Sequence, residues 1–122
     1  MFIKYNPNPK GARVGDCAIR AVCKATGDDW ESTYINVCLE GLLRADMPSS
    51  NAVWGMYLQK HGFKKSITEP GTTLNEFCWT HPEGMYVAAL TGHVVTVYNG
   101  NFYDTWDSGD ELVLYYWYKE ER

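Results

Sequence analysis

The chain has 122 residues, 45% of them apolar and 21% charged, which is enough for one domain over residues 1–122 with a modest core. A net charge of −4, with acids and bases interspersed, excludes the clustered Lys/Arg surface of a nucleic-acid binder. Residues 1–16 lack the apolar core of a signal peptide and no later run is apolar enough to span a bilayer, so no membrane association is expected and the expected location is the cytoplasm.

In that reducing compartment Cys17, Cys23, Cys38 and Cys78 are expected to remain thiols. No two of them form a C-x-x-C pair and no second His completes a set, so neither a metal nor another cofactor is expected.

An irregular arm containing Asn6-Pro7-Asn8-Pro9 and Gly11 leads to Val14-Gly15-Asp16. Residues 17–26 are then good helix formers that stop at Gly27, a C′ cap, so Cys17 opens a helix. A second helix is predicted from Asp28, with Glu31 three residues on as a capping box, to Gly41; Trp30, Tyr34, Val37 and Cys38 form its core face. A loop of Asp46-Met47-Pro48-Ser49 precedes a third helix from Ser50 to Gly62, carrying Val53, Trp54, Tyr57 and Leu58 inward. Thr73 and Glu76 signal a short fourth helix before Phe77. From Met85 the runs become β-branched and aromatic, giving strands at 85–90, 93–98, 101–106 and 112–118. Helices followed by strands define an α+β chain, with N-terminal helices packed on a C-terminal antiparallel sheet of about four to five strands.

Asn99-Gly100 is the strongest turn signal, because a two-residue type I′ turn needs positive φ at both positions. The turn pairs Tyr98 with Asn101, Val97 with Phe102, Val95 with Asp104 and His93 with Trp106. His93, Val95, Asp104 and Trp106 then share one side of the sheet, and His93 and Asp104 are diagonal neighbours at about 7–8 Å between backbones. A carboxylate is thereby aimed at an imidazole, while Cys17 stands at a helix N-terminus that favours its thiolate. Of the three histidines, His61 ends a helix and His81 precedes Pro82 in a turn; only the register of His93 meets an acid. Asp107, within Asp107-Ser108-Gly109, is the alternative third residue, and Trp106 is a candidate lid over the pair.

A Cys that opens the first long helix, a His at the head of a strand and an Asp on the next strand together resemble the papain-like cysteine peptidase superfamily. Asp104-Thr105-Trp106 is similar to the Asn-Ser-Trp of papain relatives, and Tyr103-Asp104-Thr105 to the Tyr-Asp-Ser of ubiquitin-like-protein proteases. Gly15-Asp16-Cys17-Ala18 with Gly92-His93-Val94 looks like small members from bacteria and their phages. The resemblance implies a papain-like fold and a hydrolase of peptide or isopeptide amides, with Cys17 as nucleophile, His93 as base and Asp104 as orienter. Its partner would be a protein or peptide substrate, a host protein among the candidates. Papain relatives carry a Gln five or six residues before the Cys, where this chain has Gly11 and Ala12. That leaves the Cys17 amide as the oxyanion donor, with the Asn8 or Asn6 side chain as a candidate second, and Asp16 and Trp106 completing the cleft. An amine resolving the acyl-enzyme would make the same triad a transglutaminase-like acyl transferase. A non-catalytic protein-binding module on the same scaffold is the reading from another class, suited by nine Tyr and five Trp.

Overall fold

Asn99 and Gly100 both adopt positive φ, 51° and 79°, and the hairpin they close pairs Tyr98 with Asn101, Val97 with Phe102 and Thr96 with Tyr103. The computed structural model describes residues 1–119, and this hairpin lies within its sheet. The elements run β1 (Phe2–Lys4), α1 (Cys17–Thr26), α2 (Trp30–Arg44), α3 (Asn51–Lys60), β2 (Phe63–Ile67), α4 (Leu74–Thr80), β3 (Met85–Leu90), β4 (His93–Tyr98), β5 (Asn101–Asp104) and β6 (Val113–Lys119). No helix among the described residues is long and apolar enough to cross a membrane.

The α+β reading holds, but the sheet has six strands in the order β1-β5-β4-β3-β6-β2 rather than four to five. It is also mixed rather than antiparallel, because β1 runs parallel to β5. Both additional strands are edge strands that precede the strand-rich region read from Met85 onward. β1 is only three residues long, and in β2 only Phe63 is buried while Lys64 and Lys65 face outward, so neither carries the alternation that marks a half-buried strand. The third predicted strand ends at Asp104 rather than at residue 106.

Alternation along the central strands gives the sheet two covered faces. Val87 and Ala89 of β3 and Val94 of β4 pack with α1, α2 and α3, around the buried Trp54, Val22 and Val37. Ala88 and Leu90 of β3, with Val95, Val97 and Phe102, pack instead with Leu74, Phe77 and Cys78 of α4. α1 is buried along most of its length, and Thr96 of β4 donates a 2.6 Å hydrogen bond to the Ala21 carbonyl, so this helix is fixed on the strand that carries His93. Gly27 takes φ 82° and returns its N–H to the Cys23 carbonyl, closing α1 as expected.

α2 departs from expectation at both ends. Its N-cap is Asp29, whose carboxylate accepts from the Ser32 amide at 2.7 Å, so the Asp28/Glu31 capping box does not form. It continues past Gly41 to Arg44 and stops at Ala45, which adopts φ 52°. Of its predicted core face only Val37 is fully buried; Trp30 and Cys38 are half-buried and Tyr34 is exposed, because this stripe turns from the core into a cleft. The Thr73/Glu76 capping box of α4 forms as read.

Gly41 lies against the loop that follows α2. A Cβ there would stand 2.7 Å from the Asp46 carbonyl oxygen, a backbone atom held by the return bond from the Asp46 amide to Gly41. Gly41→Ala is therefore expected to destabilise the chain by about 1–3 kcal/mol, the usual cost of overpacking, despite the better helix propensity of Ala. A thermal melt that is unchanged or raised would contradict this.

Candidate active site

Cys17 is the first residue of α1, and Asp16 is the N-cap before it. The Asp16 carboxylate makes no side-chain capping bond to the helix. It is drawn sideways, accepting from Arg20 Nη1 at 2.6 Å and from Trp30 Nε1 at 2.9 Å. The first amides of α1 therefore keep their donor capacity beside the sulfur, at the end of the helix that favours negative charge.

His93 is the first residue of β4 and follows Gly92, whose φ of 64° turns the chain from β3. Its Nε2 lies 2.7 Å from Asp104 Oδ2, which leaves Nδ1 as the ring nitrogen for the hydrogen bond with Cys17. The Val94 amide donates to the same sulfur. Strand parity explains why it is available: Thr96 and Tyr98 bond toward β5, Val94 would be next, and the β4–β5 ladder stops at Thr96. Asp104 has no exposed surface and also accepts from Ser108 Oγ at 2.6 Å, the Thr105 amide at 2.7 Å and Arg20 Nη2 at 3.1 Å.

These contacts favour the charged forms. Burial pushes the Cys17 thiol up, but the hydrogen bond and charge of His93, the Val94 amide and Arg20 outweigh it and bring the thiol below its ordinary value. Burial pushes His93 down, yet its bonds and charge interactions with Asp104 and Cys17 carry it up to about 9. Asp104 is raised by burial and lowered further by His93, Ser108 and the Thr105 amide, ending below the carboxylate range. The arrangement supports a thiolate–imidazolium pair with a carboxylate behind it. The other buried thiols behave oppositely: burial raises Cys78 to about 11, and burial also raises Cys23, which donates to the Asp28 carbonyl.

The dyad lies between two clefts. One, of about 430 Å³, is walled by Trp30, Tyr34 and Cys38 of α2, by Pro48, Ser49 and Asn51, and by Leu90, with Cys17 and His93 at its edge. The other, on the Trp106 side, is lined by Arg13, Arg20 and Thr105. The Trp106 ring stands 5.1 Å from the His93 ring at 33° and is 42% exposed, so it covers the imidazole as a lid would.

Cys17, His93, Asp104, Asp16 and Trp106 are thus brought together, while the roles expected of Asn8 and Asp16 are corrected. Asn8 lines neither cleft; its side-chain oxygen accepts from the Lys10 and Ala12 amides, since the Asn-Pro-Asn arm satisfies its own turn. Asp16 borders both clefts, but Arg20 and Trp30 engage its carboxylate, so it anchors the helix start rather than serving a substrate. Asp107 accepts from the Gly109 amide within its turn and does not replace Asp104. Trp54 is fully buried, as read, and donates to Asn51 Oδ1 at 3.1 Å, holding a residue that lines the first cleft.

Sequence reasoning missed Arg20, Trp30 as a donor, and Ser108. The i,i+4 spacing of Asp16 and Arg20, at the start of a helix whose first two turns are otherwise apolar, was the available signal for the first. Among the described residues no group of three or more His, Cys, Asp or Glu side chains is placed to hold a metal ion. In comparisons with known proteins, no family model matches the chain, and neither a curated protein nor a solved structure matches it.

Proposed function

We propose that this chain is a papain-like cysteine hydrolase that cleaves a peptide or isopeptide amide. The observation that carries the reading is a thiol at an uncapped helix start, hydrogen-bonded to an imidazole whose other nitrogen is held at 2.7 Å by a buried carboxylate. The Cys17 thiolate attacks the carbonyl carbon, and the oxyanion is met by the Cys17 amide and the start of α1. His93 gives its proton to the departing amine as the C–N bond breaks, leaving a thioester. Water then attacks the thioester with His93 taking its proton, and the acid is released with the thiolate restored. The cytoplasm is the proposed site of action.

The 430 Å³ cleft beside the sulfur suits an apolar substrate side chain, since its walls are Trp30, Tyr34, Pro48 and Leu90 and the carboxylate of Asp16 is already paired. A second reading, a non-catalytic protein-binding module, is favoured by a different observation. Ile35, Leu39, Leu42 and Leu43 of α2 are all exposed, which is the pattern of an interaction surface.

Incubation with peptide and ubiquitin-like vinyl sulfones, followed by intact mass and peptide mapping, tests the hydrolase reading. A single adduct on Cys17 is expected. In the same assay iodoacetamide should label Cys17 far faster than Cys23, Cys38 or Cys78, with an apparent pKa below that of an ordinary thiol. Equal labelling of all four, with no vinyl sulfone adduct, would reject it.

A further inference from the structure

Arg20 is 4% exposed and lies between two buried carboxylates, Asp16 on its own helix and Asp104 on β5. A buried ion triad gives little net stability compared with an apolar trio of similar volume, so its presence is not explained by packing. Its connectivity offers an explanation. Asp104 Oδ1 accepts from Arg20 Nη2 and the Thr105 amide, while Oδ2 accepts from Ser108 and His93. A carboxylate has about four lone-pair sites, so every one is assigned and its orientation is determined. The other arm of the same guanidinium holds the residue immediately before Cys17.

We propose that Arg20 is a positioning residue, a rigid two-armed brace that sets the start of the nucleophile's helix against the carboxylate that holds His93. The inference rests on the site reading above. The brace ties the helix start directly to the end of β5, where the reacting groups supply the other link. With it, charges alternate from Asp16 through Arg20, Asp104 and His93 to Cys17. The planar fork matters as much as the charge, because a lysine ammonium on a flexible stem presents no two fixed arms. The charged and titratable groups around His93 are Cys17, Asp16 and Arg20 from α1 and its cap, Asp104 from β5, Arg13 on the Trp106 side, and Tyr34 and Cys38 of α2 across the other cleft.

Two variants, Arg20→Lys and Arg20→Met, separate positioning from charge. The readouts are the His93 imidazole titration by NMR, the pH dependence of Cys17 alkylation, and thermal melts, none of which needs a known substrate. If Arg20 positions Asp104, the His93 midpoint falls by about one pH unit or more in both variants, because the Asp104 bond loosens. Cys17 should then alkylate about tenfold more slowly at neutral pH, as its thiolate fraction falls with its partner's charge. A mere neighbouring cation predicts the opposite sign: no change in Arg20→Lys, and a higher His93 midpoint in Arg20→Met, where a positive charge has gone. A merely structural role predicts lower melts with the His93 midpoint unmoved in the folded protein. Either of those results overturns the proposal. Arg20→Lys keeps the test decisive if Arg20→Met fails to fold. A wild-type protein whose Cys17 and His93 titrate as ordinary side chains would overturn the site reading itself. Normal coupling in the wild type with unaltered variants would overturn the brace alone.

Discussion

Cys17→Ala is expected to lower turnover of any cleaved amide by about ten-thousandfold to a millionfold, and His93→Ala by nearly as much, because nucleophile and base act as one unit. Neither variant should unfold. Cys17 is only half-buried, and with His93 gone Asp104 still accepts from Arg20, Ser108 and the Thr105 amide, so no buried charge is left unpaired. The measurement is kcat/KM on a peptide found with the probe panel, taken beside thermal melts so that a lost activity is not mistaken for a lost fold. Full biological function in a well-folded Cys17→Ala protein would remove the hydrolase reading and leave the binding module.

Asp104→Ala should behave differently, costing stability as well as activity. It strips the partner from His93 and one of two partners from Arg20 in a place without solvent, and breaking a buried pair of this kind costs about 3–5 kcal/mol. Some turnover should survive, because Cys17 and His93 still meet. Asp104→Asn keeps the shape and removes the charge, and its signature is in the pH dependence. His93 titrates at about 9 when folded against an ordinary 6.5, so its contribution to stability is whole below 6.5 and is lost as pH rises through 9. Asp104 titrates low, so its contribution is present above the carboxylate range and is lost as pH falls through its depressed value. The wild-type melting temperature should therefore decline toward pH 9 and again in acid, and Asp104→Asn should flatten both limbs. An unchanged alkaline limb in Asp104→Asn would mean that the carboxylate does not hold the imidazole.

The acid–base half of the site was legible because a single turn governs it. Asn99-Gly100 fixes the hairpin as far as Thr96 and Tyr103; the Val95–Asp104 and His93–Trp106 pairs read from the turn lie beyond the observed ladder, and His93 meets Asp104 just past its end. Cys17 was legible from Gly27 backwards, since a run of helix formers needs a start. What escaped were features with no periodic signal. β2 is an edge strand whose lysines point outward, and β1 is three residues that pair only because β5 lies beside them. Arg20 lies within a run of helix formers, where a charged side chain is usually solvated. Its burial follows from tertiary contact with β5, which the local sequence does not encode. Asn8 failed for the reverse reason, its local turn chemistry prevailing over any distant role.

The buried ion triad also bears on how the sequence can vary through descent. Losing Arg20 takes from Asp16 its ion partner away from water, and losing either acid takes one of two carboxylates from Arg20, whereas replacing several together by apolar residues need cost little. Divergent relatives should therefore hold these three positions as a block, either all ionic or all exchanged. Trp30, whose indole donates to Asp16, should drift only in lineages where that acid has already gone.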